Sequence, residues 1–123
     1  MEPLIIKATE DTPEIVLDPE NGIFKISDRS LPENAIEFYQ PVFEWLKNYS
    51  KEPDTPTNFE FKLEYFTTSS AKQIIKILLI LQEISTKSEV NIKWYYKKED
   101  VDMYASGLKY QKLINANFEL VEY

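Results

Sequence analysis

The chain has 123 residues with no cysteine and no histidine, a one-domain length that can bury roughly two thirds of its unfolded surface. Those absences exclude a disulfide framework, thiolate chemistry and cysteine zinc sites, and they remove the usual near-neutral general base and with it most hydrolase and zinc-enzyme readings. A formal net charge of −7, from 21 acidic and 14 basic residues, disfavours nucleic acid and anionic membrane surfaces as partners; with no signal-peptide pattern and no run approaching ~20 apolar residues, a cytoplasmic protein without membrane insertion is expected.

In chain order, LIIK at 4–7 is a candidate edge strand, followed by the turn-rich, acidic TEDTP. EIVLD at 14–18 and IFKIS at 23–27 flank PENG, whose Pro19, Asn21 and Gly22 supply the turn chemistry of a hairpin. In SLPENAIEFYQPVFEWLKNYSKE, Ser30 and Glu33 have capping-box spacing and Pro32 suits a first helical turn, so a helix is predicted from about Leu31. Its stripe is Ala35, Tyr39, Val42, Leu46 and Tyr49, flanked by Ile36, Phe43 and Trp45. Pro41 interrupts the hydrogen bond back to residue 37 and should bend it. The loop EPDTPT closes the segment.

Residues 58–86 form the centre. NFEFKLEYF alternates, with Phe59, Phe61, Leu63 and Tyr65 on one face and Asn58, Glu60, Lys62 and Glu64 on the other, the pattern of a strand with one buried side. AKQIIKILLILQEIST then repeats Ala71, Ile74, Ile75, Leu78 and Leu81 at helical spacing, and Ile77, Ile80 and Ile84 widen the stripe into a core helix. Between the two stand Thr67, Thr68, Ser69 and Ser70. VNIKWYYK at 90–97 is a second one-sided strand carrying Val90, Ile92, Trp94 and Tyr96, so strand, helix and strand make a βαβ unit with parallel strands and a right-handed crossover. Asp100 and Asp102 open a weaker helix with Val101, Tyr104, Leu108 and Leu113 as its apolar positions, Gly107 lowering its propensity. FELVEY supplies a final edge strand. Fully buried parallel strands would read as continuous apolar runs. These alternate, which predicts an α/β domain of two layers, a mixed sheet with helices on one face and Glu60, Lys62, Glu64, Asn91 and Lys93 on the other.

Little catalytic chemistry survives this composition. Two glycines, Gly22 and Gly107, are too few for a dinucleotide-binding turn or a P-loop. Lys72 is the one base near the hydroxyl run, and a Ser/Lys dyad at this spacing is a weak signal. Glu60 and Glu64 read as a solvated sheet face. EDVD lacks the further oxygen ligands that calcium needs and reads as a helix N-terminal charge preference. No cofactor or metal is expected.

The hydroxyl run has two readings. Ser70 with Gln73 three residues on makes a capping box, which would leave TTSS a helix cap and the protein a constitutive interaction or small-ligand-binding module. Alternatively the run is a switch, because a phosphate at a helix N-terminus meets free amides and the positive end of the macrodipole while adding about −1.5 to −2 charge to the surface.

LEYFTTSSAK, together with RSLPENAIEFYQPVFEWL upstream, resembles the SiaC-type regulatory phosphoproteins, over a span from TPEI at 12–15 to IKWYY at 92–96. The resemblance implies a single-domain, STAS-like fold over residues 1–123, akin to bacterial anti-anti-sigma factors. It also implies a non-enzymatic partner-switching role. In that family the turn commonly reads Asn-Thr-Ser-Ser with the threonine as phosphoacceptor, which carries over to Thr68. Thr67 stands here in place of the asparagine, and Thr67 and Ser69 are the alternate acceptors. The implied partners are a serine/threonine kinase of HATPase type, a PP2C-like phosphatase and a diguanylate cyclase, which the unmodified form would activate, raising cyclic di-GMP and promoting biofilm. Thr67, Ser69, Ser70, Lys72, Glu33 and Asn34 are the expected partner-binding residues, with PEN at 32–34 read first as a fixer of helix geometry.

Overall fold

The protein is seen here as a computed structural model that describes residues 1–54 and 56–123. Among the described residues six strands lie in one sheet in chain order: β1 (Leu4–Ile6), β2 (Glu14–Asp18), β3 (Ile23–Ser30), β4 (Thr57–Phe66), β5 (Val90–Tyr96) and β6 (Asn117–Glu122). β1, β2 and β3 pair antiparallel, Gly22 (φ 67) serving the tight β2–β3 turn where a left-handed residue is needed. From β3 onward every pairing is parallel. Parallel neighbours need a crossover, and a helix fills each one: α1 (Ala35–Tyr49), α2 (Thr68–Ser85) and α3 (Val101–Leu113).

Alternation along the strands sends one set of side chains inward. Ile15, Leu17, Phe24, Ile26, Phe59, Phe61, Leu63, Val90, Ile92 and Trp94 are buried and join residues of all three helices in one core cluster. The opposite face is polar. There Lys25 pairs with Glu14 at 2.9 Å, the Tyr95 hydroxyl donates to Glu60 at 2.9 Å, and Asn58, Asn91 and Asn117 form an amide ladder across three strands. α2 buries Ile74, Ile77, Leu78, Leu81 and Ile84 over this sheet, and α1 packs beside it. The two-layer mixed sheet expected from the strand pattern is the observed one.

Four local expectations are corrected. α1 starts at Ala35, not near Leu31: β3 runs on through Ser30, and Asn34 is the cap, its side chain accepting the Glu37 N–H at 3.1 Å. Pro32 and Glu33 therefore precede the helix, while Pro41 does lie inside it. Ser70 is not the cap of α2 either; Thr67 is. Tyr65 does not join the core and is 50% exposed. The β3–β4 register slips between Asp28 and Arg29, where Leu63 and then Tyr65 are the successive partners, so Glu64 is an extra residue and Phe66 takes the inward place against Trp94. Finally, α3 buries Met103, Gly107 and Tyr110, whereas Val101, Tyr104 and Leu113 are exposed. The packed stripe runs through a glycine because no side chain fits: a Cβ at Gly107 would come within 2.6 Å of Trp94 and 2.4 Å of Leu120. Of the loop EPDTPT, Thr57 already belongs to β4 and Thr55 lies outside the described residues.

Candidate functional site: the hydroxyl turn at the start of α2

β4 ends at Phe66 and α2 begins at Thr68, so one residue, Thr67, makes the whole junction. Its extended backbone (φ −80, ψ 168) is that of an N-cap, and its Oγ1 accepts the Ser70 N–H at 3.2 Å. The backbone N–H of Thr67 is tied to the Ser30 carbonyl at 3.1 Å, across to the last residue of β3. A helix that must start this abruptly needs its first donors satisfied locally, and a threonine does so with a short, stiff side chain.

Ser70 turns inward and is fully buried. Its hydroxyl donates to the Ser30 carbonyl at 3.0 Å and accepts from the Ser30 hydroxyl at 2.8 Å. Because Ser30 gives its proton to Ser70, the 2.6 Å contact between Ser30 Oγ and Tyr39 Oη must have the phenol as donor. Thr67 Oγ1 also donates to Ser70 Oγ, at 3.2 Å. The result is a directed relay, Tyr39 to Ser30 to Ser70, which Thr67 enters from the other side. Tyr39 is buried on α1, and burial pushes its phenol up to about 12. The phenol is thus a fixed neutral donor at ordinary pH.

Thr68 and Ser69 face the solvent and Lys72, one turn on, is exposed as well. As first-turn residues, Thr68 and Ser69 have backbone N–H groups with no intrahelical partner. The first turn of α2 holds no acidic residue, unlike those of α1 and α3, which carry Glu37 and Asp102. Its positive dipole end is uncompensated.

Glu33 and Asn34 are exposed at the start of α1, beside a groove lined by Thr12, Pro32, Glu37 and Phe38. Asn34 acts as a cap; among the described residues no hydrogen bond joins the side chains of Glu33 or Asn34 to the hydroxyl turn. The link between the two stretches is Ser30 with Tyr39, neither of which the sequence singled out as part of a site. The continued alternation Phe24, Ile26, Ser30 past a bulge was the available signal for the serine. Among the described residues, no group of three or more acidic residues is placed to hold a metal ion, and no helix is long and apolar enough to cross a membrane.

Fold and turn together define a one-sided α/β domain that offers solvent a hydroxyl-bearing helix start braced from beneath. The family model described as SiaC family regulatory phosphoprotein matches residues 6–123. An uncharacterized protein of Pseudomonas aeruginosa (strain UCBPP-PA14) is 30% identical over 101 residues, covering 81% of this chain and 80% of that one. The chain belongs to the SiaC family of regulatory phosphoproteins. Solved structures agree on the fold. Apo-SiaC from Pseudomonas aeruginosa superposes with a TM-score of 0.90 at 26% identity over 98% of this chain and 99% of that one. SiaC in complex with the diguanylate cyclase SiaD, which it activates, gives 0.88 at 24% identity over 98% and 99%.

Proposed function

We propose that this protein is a non-enzymatic switch phosphorylated at Thr68, and that its unmodified form binds and activates a diguanylate cyclase. The observation that carries the reading is the division of labour among the four hydroxyls. Thr67 caps the helix and Ser70 is buried, which leaves Thr68 the exposed threonine of the turn, on a helix start with no acid in its first turn. Support for the partner comes from the Pseudomonas relative, which is an activator of such a cyclase. A serine/threonine kinase of HATPase type would add the phosphate and a PP2C-like phosphatase would remove it. Ser69, also exposed, is the alternate acceptor that this geometry favours over Thr67.

The reading of TTSS as a cap alone draws on a real feature, since Thr67 does cap α2. Capping uses Thr67, however, and leaves Thr68 free. A phosphate on Thr68 sits by unpaired amides and is tolerated by the domain, whereas burying that dianion in an interface without a basic partner is strongly unfavourable. Modification therefore weakens partner binding more than it weakens folding.

Mass spectrometry after incubation with kinase and Mg·ATP locates the phosphate, and calorimetry compares both forms against a diguanylate cyclase. Thr68→Ala should resist modification and keep much of the binding, while Thr68→Glu should lose some of it. Phosphate found outside the turn overturns the site; equal affinity of the two forms overturns the switch.

A further inference from the structure

We propose that the buried relay of Tyr39, Ser30 and Ser70 determines which hydroxyl of the turn is modified, by holding Thr67 away from a phosphoryl donor. The inference rests on the reading of the turn as a phosphoacceptor and adds to it three specificity-determining residues, none of them at the surface. Transfer of the γ-phosphoryl group of ATP to a threonine forms a bond from Oγ1 to phosphorus and breaks the bond to the departing ADP. The hydroxyl proton leaves to a base of the kinase. The acceptor must therefore turn its oxygen outward and give up its proton to the enzyme.

Thr67 can do neither while the relay stands. Its oxygen accepts the Ser70 N–H at 3.2 Å, and its proton is directed to Ser70 Oγ, also at 3.2 Å. Ser70 Oγ is held at that spot by two bonds to Ser30, one to the carbonyl at 3.0 Å and one from the hydroxyl at 2.8 Å. Ser30 is in turn fixed by Tyr39 at 2.6 Å and by the Thr67 amide on its carbonyl at 3.1 Å. Both serines and the tyrosine are fully buried, so water does not compete for these partners. Thr68, one residue on, is exposed and takes no part in this network. Two adjacent threonines that look equivalent in the sequence are thus made unequal by groups from two other elements, β3 and α1.

Ser30→Ala and Tyr39→Phe remove relay hydroxyls without touching the turn, and Ser70→Ala removes the acceptor of the Thr67 proton. A purified HATPase-type kinase that labels the wild-type chain from Mg·ATP is used with each, and tandem mass spectrometry reads the ratio of phosphate at 67 to phosphate at 68. The expected result is modification at Thr68 alone in wild type and a growing share at Thr67 in the three variants, largest in Ser70→Ala. Labelling confined to Thr68 in all of them overturns the inference and leaves the proposed function standing; no labelling of the turn in wild type overturns the proposed function itself. A kinase-free measurement stands beside these: amide exchange at Ser70, compared with that of the α2 core, should quicken by roughly fivefold in Ser30→Ala, the equivalent of one ordinary hydrogen bond. Unchanged exchange at Ser70 in that variant would show that the relay does not hold the turn. Thermal midpoints of the variants identify any that fail to fold, and Tyr39→Phe, which keeps the ring and its packing, serves where an alanine does not.

Discussion

α2 and α3 both begin where a parallel strand ends, after β4 and after β5, yet their starts are built from opposite materials. α2 opens on a neutral threonine cap, with no acid in its first turn and a buried relay beneath. α3 opens on the Asp100 carboxylate, which accepts the Met103 N–H at 3.0 Å, with Asp102 in its first turn. A carboxylate cap neutralises the helix dipole and repels any further anion, whereas a threonine cap satisfies the same donor and leaves the dipole unopposed. The seating of the two helices differs in the same sense. α2 buries Ile74, Ile77, Leu78, Leu81 and Ile84 along its length, and α3 buries Met103, Gly107 and Tyr110. The start that can take a new charge thus belongs to the more deeply anchored helix, where local electrostatic change is least able to unfold the domain.

The largest effect expected from this contrast lies in the anchor of α2. Leu78 is fully buried, and Leu78→Ala should destabilise the domain by about 2–5 kcal/mol through lost burial and a residual cavity, read as a lowered denaturation midpoint. If that midpoint does not move measurably, α2 is not the seat that the comparison requires.

The relay places a titratable phenol beneath the start of α2. Burial raises the Tyr39 phenol to about 12, so the neutral form is favoured in the folded state. Its contribution is complete below the unfolded phenol value of about 10 and is lost as pH rises through 10 toward 12, reaching about 2–3 kcal/mol at the end of that window. Burial raises Tyr49 and Tyr110 in the same direction, so the test is a difference: urea unfolding of wild type and Tyr39→Phe should lose stability by unequal amounts between pH 10 and pH 12, the variant losing less. Parallel curves would mean that the relay phenol ionises freely.

On the α3 side the sensitive point is Gly107. A methyl group there would come within 2.6 Å of the Trp94 ring, which is buried and held by its indole N–H to the Met103 carbonyl at 3.0 Å. Gly107→Ala raises helix propensity by about 1 kcal/mol, yet it should still cost a net ~1–3 kcal/mol because the ring cannot retreat. A more stable variant would show that α3 rides loosely on the sheet.

That glycine also shows why parts of the molecule were legible in the sequence and others were not. β4 and α2 were readable because burial follows side-chain chemistry there, with phenylalanine and leucine at period two and then isoleucine and leucine at helical spacing. The stripe of α3 is hidden in the sequence because it passes through a residue with no side chain, a close approach that no apolar pattern records. Tyr65 left its expected face because a bulge adds a residue opposite Asp28, whose left-handed backbone (φ 77) sequence periodicity cannot anticipate. Serine is common at helix starts, so spacing alone makes caps of Ser30 and Ser70, whereas both are buried hydroxyls satisfied across 40 positions of sequence. Caps are local and can be read from spacing. A relay is tertiary, and only the packing of β3, α1 and α2 brings its members together.

The smallest effect is the most discriminating, because it separates two neighbouring threonines. Thr67→Ala removes the oxygen that accepts the Ser70 N–H and the proton given to Ser70 Oγ, so it should cost about 1 kcal/mol, as the loss of an ordinary cap does. Asp100→Ala on α3 should cost a similar amount, since that carboxylate satisfies the Met103 donor in the same way. Thr68→Ala deletes an exposed hydroxyl with no partner in the relay, and its change in stability should stay within about 0.5 kcal/mol, the range of ordinary surface substitutions. Denaturant unfolding of the three variants at one pH makes the comparison. Equal losses at residues 67 and 68 would mean that the two hydroxyls share the cap, and the division between a structural threonine and a modifiable one would fail. A near-silent Thr68→Ala beside a costly Thr67→Ala leaves residue 68 free of structural duty, the condition under which a hydroxyl can be modified and restored many times without disturbing the fold.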